Sequence, residues 1–276
     1  MKILITGGTG TIGLALAKSH VIAYFNEHGS PYSQHSITIF SRNESDQVTM
    51  KSDHPYFSYV VGDVRDYSEV FKACEGMDYV FHLAALKHIN ICEEKPQEAV
   101  KTNVLGTMNL INACREHGAQ LISMSTDKAI NPTSVYGITK FLAEEMVTQA
   151  GFLSVRSGNV LWSSGSVFPI WEKQLKETNV INITSKNMTR FFISVDEVVR
   201  FLWSNRDQQG VLTVSMQSFN LNDIAEEFIK RFGDDDSSIN VMGLRPGERE
   251  HEYRDKVTSS DEHISTNLNY IFDGKI

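Results

Sequence analysis

The sequence predicts an α/β fold in which helices cover both faces of a doubly wound parallel sheet, followed by a smaller C-terminal lobe. Short β-branched runs alternate with longer segments of helical periodicity, and a glycine-rich turn directly follows the first run. This alternation is typical of βαβ units, in which a helix connects one strand to a parallel neighbour. We therefore expect the first part of the chain to form the sheet.

Strands and long helices alternate through the first 160 residues. Strands are predicted at residues 2–6, 36–41, 57–63, 79–85, 120–126 and 153–158, and helices at residues 11–28, 96–117 and 133–150. Pro96 suits the first turn of a helix, because the N–H that proline lacks has no helical partner there. The connection at residues 29–35 is longer than usual and is expected to be a surface insertion.

Beyond residue 160 the alternation loosens. Helices are predicted near residues 168–177, 195–205 and 221–232, and the three aspartates at residues 234–236 are expected in a solvated turn. We interpret residues 1–160 as a nucleotide-binding domain. Residues 161–276 are interpreted as a substrate lobe, part of which can fold back onto the first domain.

Composition excludes several classes of protein. The 276 residues carry 26 Lys and Arg against 34 Asp and Glu, a net charge of −8 that argues against a nucleic-acid partner. No apolar run approaches the roughly 20 residues of a membrane span, and no signal-peptide pattern is present. We therefore expect a soluble, cytoplasmic protein. Cys74, Cys92 and Cys114 match neither zinc nor CxxC spacing, so buried thiols and no metal site are predicted.

The glycine-rich turn has the pattern of a phosphate-binding loop. It contains GxGxxG from Gly8 and GxxGxxG from Gly7, directly before a predicted helix. Without Cβ atoms the backbone can approach a pyrophosphate, and the helix N-terminus offers N–H groups to the anion. A glycine-rich turn without a ligand is the alternative. The residues expected to bind a dinucleotide here are Thr6, Gly7, Gly8, Gly10, Thr11, Ile12 and Gly13.

The end of the second predicted strand indicates which dinucleotide binds. NAD enzymes usually carry an acidic residue there, whereas this chain has Ser41 and Arg42. A serine and an arginine favour a 2′-phosphate, so NADP is the expected cofactor; Arg42 as a plain surface residue is the alternative. Asp63 and Val64, after the third strand, are expected at the adenine edge, although an aspartate there can equally cap a helix.

A second group of polar residues surrounds the fifth predicted strand. Thr126, Asp127 and Lys128 close that strand, and Tyr136 and Lys140 share one face of the following helix. An ammonium near a phenol favours the phenolate and lowers the phenol pKa. The Tyr136–Lys140 pair therefore predicts a base for a sugar hydroxyl.

Together these motifs resemble the extended short-chain dehydrogenase/reductases, and more narrowly the inverting UDP-N-acetylglucosamine 4,6-dehydratases of the polysaccharide-biosynthesis group. The matching blocks lie in order at residues 84–88, 102–107, 125–132, 136–140, 158–160, 188–192 and 244–248. The resemblance implies a Rossmann-type doubly wound sheet, NADP that is reduced and reoxidised within each turnover, and a UDP-sugar substrate. We also expect a homo-oligomer.

The resemblance also implies a role for each catalytic residue. Tyr136 would deprotonate the 4′-hydroxyl as hydride leaves C4′, Lys128 would remove the C5 proton, and Asp127 would protonate the departing 6-hydroxyl. A lysine can act as a base only if its pKa falls, which we expect from burial or from nearby Lys140 and Lys87. Hydride return to C6 and protonation of C5 from the opposite face would give a 5-inverted 4-keto-6-deoxy sugar.

Further residues are expected to bind the ligands. Ala84, Ala85 and Lys87 would face the cofactor. The expected UDP-sugar contacts are Lys87, Thr126, Asn159, Arg190, Arg245 and Glu248. Arg190 is the strongest of these, because an arginine within an apolar run needs an anionic partner.

Three positions depart from the family pattern, and two alternatives stay open. Ser157, Trp162 and Ser164 stand where the group often has Tyr, Gly and Arg, so we expect an altered substrate pocket. An epimerase or reductase of the same superfamily is the first alternative, and the Asp-Lys pair argues against it. A catalytically silent dinucleotide sensor is the second.

Overall fold

The computed structural model describes residues 1–28, 36–255 and 257–273, so the surface insertion predicted at 29–35 lies outside the described residues. The strands in chain order are β1 (Lys2–Thr6), β2 (Ser36–Ser41), β3 (Ser58–Val61), β4 (Tyr79–His82), β5 (Gln120–Thr126), β6 (Leu153–Ser157), β7 (Asn159–Val160), β8 (Val180–Ile183), β9 (Thr189–Ile193), β10 (Gly210–Thr213), β11 (Gln217–Asn220), β12 (Ser238–Val241), β13 (Tyr253–Arg254) and β14 (Val257–Thr258).

Seven of these strands form one parallel sheet in the order β3-β2-β1-β4-β5-β6-β10. The strand order reverses beside β1, which creates a crevice at the carboxyl ends of β1 and β4. Side chains of β1 enter both layers: Ile3 and Ile5 belong to one hydrophobic core and Leu4 to another. Such two-sided burial is expected of a parallel sheet covered by helices, and the predicted fold class is confirmed.

Helices cover both faces of this sheet and the C-terminal lobe. They are α1 (Thr11–His28), α2 (Glu44–Asp53), α3 (Tyr67–Cys74), α4 (Ile89–Glu94), α5 (Pro96–Ala99), α6 (Gly106–His117), α7 (Val135–Gln149), α8 (Val167–Thr178), α9 (Val195–Ser204), α10 (Leu221–Phe232) and α11 (Leu268–Asp273). Side-chain caps fix several starts: the Ser134 hydroxyl accepts the Gly137 N–H at the start of α7, and Ser194 and Glu197 form a capping box on α9.

The helix predicted at 96–117 is continuous but not uniform. Between α5 and α6 the residues Val100–Leu105 form a π-helix, a wider turn that periodicity alone does not reveal. The strands predicted at 57–63, 79–85 and 153–158 are shorter in the structure, because their last residues turn into loops at the crevice. The three cysteines are free and buried, as predicted.

The C-terminal lobe has its own small sheets and an aromatic core. Strands β7, β9 and β11 form one sheet, β8 pairs with β12, and β13 with β14. Phe168, Trp171 and Phe228 are buried together in its core. Helix α9 packs on α1, and β10 pairs with β6, so the chain returns to the large sheet after residue 194. The division into domains at residue 160 stays a prediction.

Candidate active site

A cavity of about 1110 Å³ lies at the carboxyl ends of the central strands and extends to the C-terminal lobe. Doubly wound sheets bind their ligands at this edge. The predicted site residues that line it are Gly7, Gly10, Thr11, Ile12, Ser41, Arg42, Val64, Ala84, Ala85, Lys87, Thr126, Lys128, Tyr136, Lys140, Asn159, Arg190, Arg245 and Glu248. The predicted residues outside its wall are Thr6, Gly8, Gly13, Asp63 and Asp127.

The loop between β1 and α1 has no room for side chains. A Cβ atom on Gly7, whose φ is +68°, would lie 2.8 Å from the Ala84 backbone nitrogen, and one on Gly13 would lie 2.6 Å from Gly8 Cα. The Gly10 N–H donates to the Gly7 carbonyl at 3.0 Å, which closes a tight turn. Bare backbone and the start of α1 therefore face the cavity, as a dinucleotide pyrophosphate requires.

A buried histidine that the sequence analysis did not single out anchors this loop. His82 Nδ1 lies 2.8 Å from Thr6 Oγ1, and its Nε2 lies 3.0 Å from Thr107 Oγ1. Burial, with a smaller contribution from Lys140, lowers the pKa of His82 to about 3, so the ring is neutral. Thr6 thus positions the loop from behind the cavity wall. In the sequence, this role was signalled by a histidine at the end of an otherwise apolar strand.

The end of β2 offers a cation to the cavity. Ser41, Arg42 and Asn43 line it there, and the Arg42 side chain is 54% exposed. Asp63 is engaged elsewhere, since its carboxylate lies 2.6 Å from Arg65 Nη2 and 4.0 Å from Arg42 Nη1. Burial alone would raise the Asp63 pKa, but hydrogen bonds and charge from Arg65 outweigh it and lower the pKa. Asp63 is therefore a surface ion-pair partner in this structure.

The catalytic segment forms a single 3-10 turn, Asp127–Ala129, directly after β5. The Asp127 side chain is 1% exposed, and its Oδ1 accepts from Thr126 Oγ1 at 3.0 Å and from Lys128 Nζ at 2.9 Å. Lys128 Nζ also lies 3.5 Å from Oε1 of Glu252, a buried residue from the C-terminal lobe. The lysine thus lies between two buried carboxylates.

This setting corrects the expected pKa of Lys128. Burial lowers it, as predicted, but the carboxylates of Asp127 and Glu252 outweigh burial, so the net pKa is raised. Arg190 opposes the carboxylates by a smaller amount. Lys87 and Lys140, which the sequence analysis expected to act on Lys128, are not its main neighbours. Lys128 is therefore an ammonium in the ligand-free protein.

The pKa of Tyr136 is also opposite to expectation. Burial raises it to about 12, although the charge of Lys128 and a hydrogen bond with Thr126 act to lower it. The cation that favours the phenolate is thus Lys128 and not Lys140. Burial lowers the pKa of Lys140 to about 8, with Glu144 acting in the opposite sense. At neutral pH the phenol is protonated and Lys140 is largely charged.

Arg190 has carbonyl partners where an anion was expected. Its Nη1 donates to Thr189 O at 2.8 Å and to Glu250 O at 3.0 Å, and its Nη2 donates to Arg249 O at 2.8 Å. The side chain is buried at the cavity wall. Arg190 therefore fixes the C-terminal segment, residues 245–254, against β9. Two other residues expected to contact the UDP-sugar also have protein partners: Asn159 donates to the Phe191 carbonyl, and half-exposed Arg245 lies 3.9 Å from Glu248.

Replacing Arg190 with Met is expected to lower the free energy of unfolding by about 1–3 kcal/mol, because buried carbonyls lose their donor. Urea denaturation measures this change. Arg245→Met is the matched control, since Arg245 is half-exposed and its loss should leave stability unchanged. An unchanged stability of Arg190→Met, together with weaker UDP binding, would contradict the anchoring role.

A loop after β7 crosses from the C-terminal lobe to the phosphate loop. The Ser164 N–H donates to Thr11 Oγ1 at 3.0 Å, and Lys87 Nζ donates to the Ser164 carbonyl at 2.5 Å. Trp162 adopts a φ of +55°, and its indole N–H donates to the Ile271 carbonyl at 2.9 Å. Trp162 also stacks on Phe168 in the lobe core. Two of the three departures from the family pattern, Trp162 and Ser164, thus lie in a loop that is tied at both ends, whereas Ser157 ends β6.

Helix α7 brings Tyr136 and Lys140 to the same cavity that the glycine-rich loop lines, which is the arrangement expected from the resemblance to the extended short-chain dehydrogenase/reductases. Residues 3–275 match the model of a family described as polysaccharide biosynthesis protein. The chain belongs to this family, and the resemblance of its motifs is confirmed. Among the described residues, no helix is long and apolar enough to cross a membrane.

Two of the relatives are named for different activities. The chain is 35% identical to a UDP-N-acetylglucosamine 4,6-dehydratase (inverting) of Campylobacter jejuni, over 96% of this chain and 79% of the relative. It is also 35% identical to a UDP-glucose 4-epimerase of Rickettsia conorii, over 94% and 78%. The X-ray structure of Pen from Bacillus thuringiensis superposes with a TM-score of 0.84 at 35% identity, covering 91% of this chain and 82% of Pen.

Proposed function

We propose that this protein is an inverting UDP-N-acetylglucosamine 4,6-dehydratase that uses NADP and serves surface polysaccharide or glycan synthesis. The observation that carries the proposal is the Asp127–Lys128 pair: Lys128 lines the cavity beside Tyr136, and the Asp127 carboxylate lies behind it, 2.9 Å from its Nζ. Water loss across C5 and C6 needs both a base and an acid, and adjacent lysine and aspartate side chains supply both. Membership in the same family as the Campylobacter dehydratase supports this assignment.

The site residues fit a dinucleotide: the glycine loop between β1 and α1 and the end of β2 would hold it, and its nicotinamide would supply reversible hydride transfer. Tyr136 is the base for the 4′-hydroxyl proton. Lys128, charged in the resting site, favours the phenolate of Tyr136 at this stage. Oxidation at C4 makes the C5 hydrogen acidic and prepares the elimination.

In the elimination of water, Asp127 acts as the acid and Lys128 as the base. Lys128 is an ammonium at rest, because its pKa is raised, and the Asp127 carboxylate lies 2.9 Å from its Nζ. Transfer of one proton from Lys128 Nζ to Asp127 gives the amine and the carboxylic acid that the step needs. Lys128 then accepts the C5 proton as Asp127 protonates the leaving 6-hydroxyl, so the C6–O bond breaks as the C5=C6 bond forms and both groups return to their resting state. Delivery of a proton to C5 from the opposite face then inverts that centre.

An epimerase is the second candidate, because a relative of equal identity is named as UDP-glucose 4-epimerase. Incubation with UDP-N-acetylglucosamine in D₂O, followed by mass spectrometry and proton NMR, separates the two reactions. Loss of one water with deuterium at an inverted C5 supports the dehydratase. A product of unchanged mass with altered C4 stereochemistry supports the epimerase. Absence of turnover with several UDP-sugars would favour the catalytically silent dinucleotide sensor.

The preference for NADP rests on Arg42, a half-exposed cation at the cavity wall. Charge-assisted hydrogen bonds to a phosphate are worth about 1.5–3 kcal/mol, so Arg42→Asp should weaken NADP⁺ binding at least tenfold and favour NAD⁺. Calorimetric titration with both dinucleotides measures the change. Arg65→Asp is the matched control, since Arg65 lies outside the cavity wall; unchanged selectivity in Arg42→Asp would show that another residue reads the phosphate. Cytoplasmic location and homo-oligomeric assembly stay predictions.

A further inference from the structure

Glu252 belongs to a part of the chain to which the sequence analysis assigned no chemistry. Its side chain is 3% exposed and is not part of the cavity wall, yet its Oε1 lies 3.5 Å from Lys128 Nζ. Any effect of Glu252 on a ligand must therefore pass through Lys128. The carboxylate approaches the lysine from the C-terminal segment, whereas Asp127 precedes it in the catalytic turn.

The backbone of Glu252 is held firmly. Its N–H donates to Ser259 Oγ at 3.0 Å, and the Ser259 N–H returns a bond to the Glu252 carbonyl at 2.7 Å. Ser259 Oγ in turn lies 2.6 Å from Thr189 Oγ1 on β9. A carboxylate fixed in this way can hold the lysine Nζ in one place.

The pairing leaves two carboxylate oxygens buried without a hydrogen bond among the described residues: Asp127 Oδ2 and Glu252 Oε2. The nearest cation to Glu252 Oε2 in its ion pairs is Arg249 Nη1, at 4.0 Å. Arg190 and Arg249 add positive charge beside Lys128 and its two carboxylates, so the buried charges compensate one another.

We propose that Glu252 is a positioning residue for Lys128: it holds Nζ beside Asp127 and keeps the lysine charged until its proton passes to Asp127. The inference rests on the proposed dehydratase function. An N–H bond of the Lys128 ammonium then breaks as an O–H bond forms on Asp127, and Glu252 itself exchanges no proton.

The surroundings of Lys128 fix how its charge responds to pH. The charged and titratable side chains that face it or its partners are Asp127 in the catalytic turn, Tyr136 on α7, Arg190 on β9, and Arg249 and Glu252 in the C-terminal segment. Arg190 and Arg249 already donate to backbone carbonyls. Glu252 is thus the carboxylate, besides Asp127, that raises the pKa of the lysine.

Glu252→Gln tests the proposal, because glutamine keeps the size of the side chain but removes its charge. We expect kcat for dehydration of UDP-N-acetylglucosamine to fall about 10- to 100-fold at neutral pH, with KM within about twofold, since Glu252 does not line the cavity. In the parent kcat should be nearly independent of pH in the neutral range and fall only at alkaline pH, where Lys128 loses the proton that Asp127 needs. In the variant this fall should begin at lower pH, because Glu252 no longer raises the pKa of Lys128.

Two variants separate this role from a structural one. Glu250→Gln, on the same segment with its side chain bonded to Ser185, should match the parent in kcat and pH profile. Glu252→Asp keeps the charge and should retain the flat profile of the parent. If Glu252→Gln keeps the parental kcat, or loses activity by the same factor at every pH, the proposal is wrong.

A measurement without turnover keeps the two proposals distinguishable. The ¹³Cε resonance of Lys128, assigned by its absence in Lys128→Arg, should titrate at lower pH in Glu252→Gln than in the parent. A shift with no dehydration by either protein would support control of Lys128 by Glu252 and contradict the proposed function. An unchanged midpoint would overturn the inference about Glu252 even in an active dehydratase.

Discussion

Lys128→Met is expected to block dehydration more strongly than oxidation at C4, which Tyr136 can still perform, although without the cation that favours its phenolate. General acid and base groups contribute about 10²–10⁴-fold, so kcat for water loss should fall by that factor. Methionine fills a similar volume but leaves the carboxylates of Asp127 and Glu252 without their cation. The C5 hydrogen should therefore not exchange with D₂O. Near-ultraviolet absorbance of reduced nicotinamide should accumulate, because the hydride has no acceptor.

The same variant also tests the fold of the site. NADP⁺ affinity should stay within about twofold of the parent, because the phosphate loop and the end of β2 lie apart from the catalytic turn. Lys101→Met is a matched control, since Lys101 pairs with Glu98 on the surface. Parental rates of water loss in Lys128→Met would assign the base to another residue.

Tyr136→Phe is expected to stop the reaction one step earlier. The ring and its packing remain, but the hydroxyl that contacts Thr126 and receives the 4′-hydroxyl proton is lost. We expect a fall of about 10²–10⁴-fold in kcat, without reduced nicotinamide and without C5 exchange. Single-turnover absorbance and proton NMR in D₂O together place the block before oxidation.

Reduced nicotinamide is expected to accumulate in Lys128→Met but not in Tyr136→Phe, and this difference separates the roles of the two residues. Tyr67→Phe, at an exposed position on α3, controls for loss of a hydroxyl in general and should leave turnover unchanged. Accumulation of reduced nicotinamide in Tyr136→Phe would show that a different group takes the hydroxyl proton. In that case the order of the two half-reactions given above would have to be revised.

Features that depend on local sequence were predictable. The run Lys2–Thr6 is β-branched and precedes glycines that only a phosphate loop needs, so strand, loop and helix α1 could be placed from residues close in the chain. The Tyr136–Lys140 spacing likewise fixes a shared helix face. Strand β10 was not predicted, because four half-buried residues after α9 carry too little periodicity to be distinguished from a loop.

Features that depend on distant pairs were not predictable from a single chain. Glu252 meets Lys128 only after the C-terminal segment has folded onto the catalytic turn, so the raised pKa of Lys128 had no local signal. The carbonyl partners of Arg190 had no local signal for the same reason: those of Arg249 and Glu250 lie about 60 residues further along the chain. Its contact with a UDP-sugar stays a prediction. The chemical groups of the site were predictable from the sequence, whereas their charge states and partners depend on tertiary contacts.

The loop that joins Ser164 to Thr11 and Lys87 has a kinetic consequence. Its hydrogen bonds bridge two sides of the cavity, so we expect them to slow the release of a dinucleotide held on the phosphate loop. An enzyme that exports electrons must release its cofactor in every cycle, whereas one that returns each hydride to the same sugar need not. The loop that joins Ser164 to Thr11 and Lys87 therefore suits a protein that keeps one cofactor molecule through many turnovers and consumes little cellular NADPH.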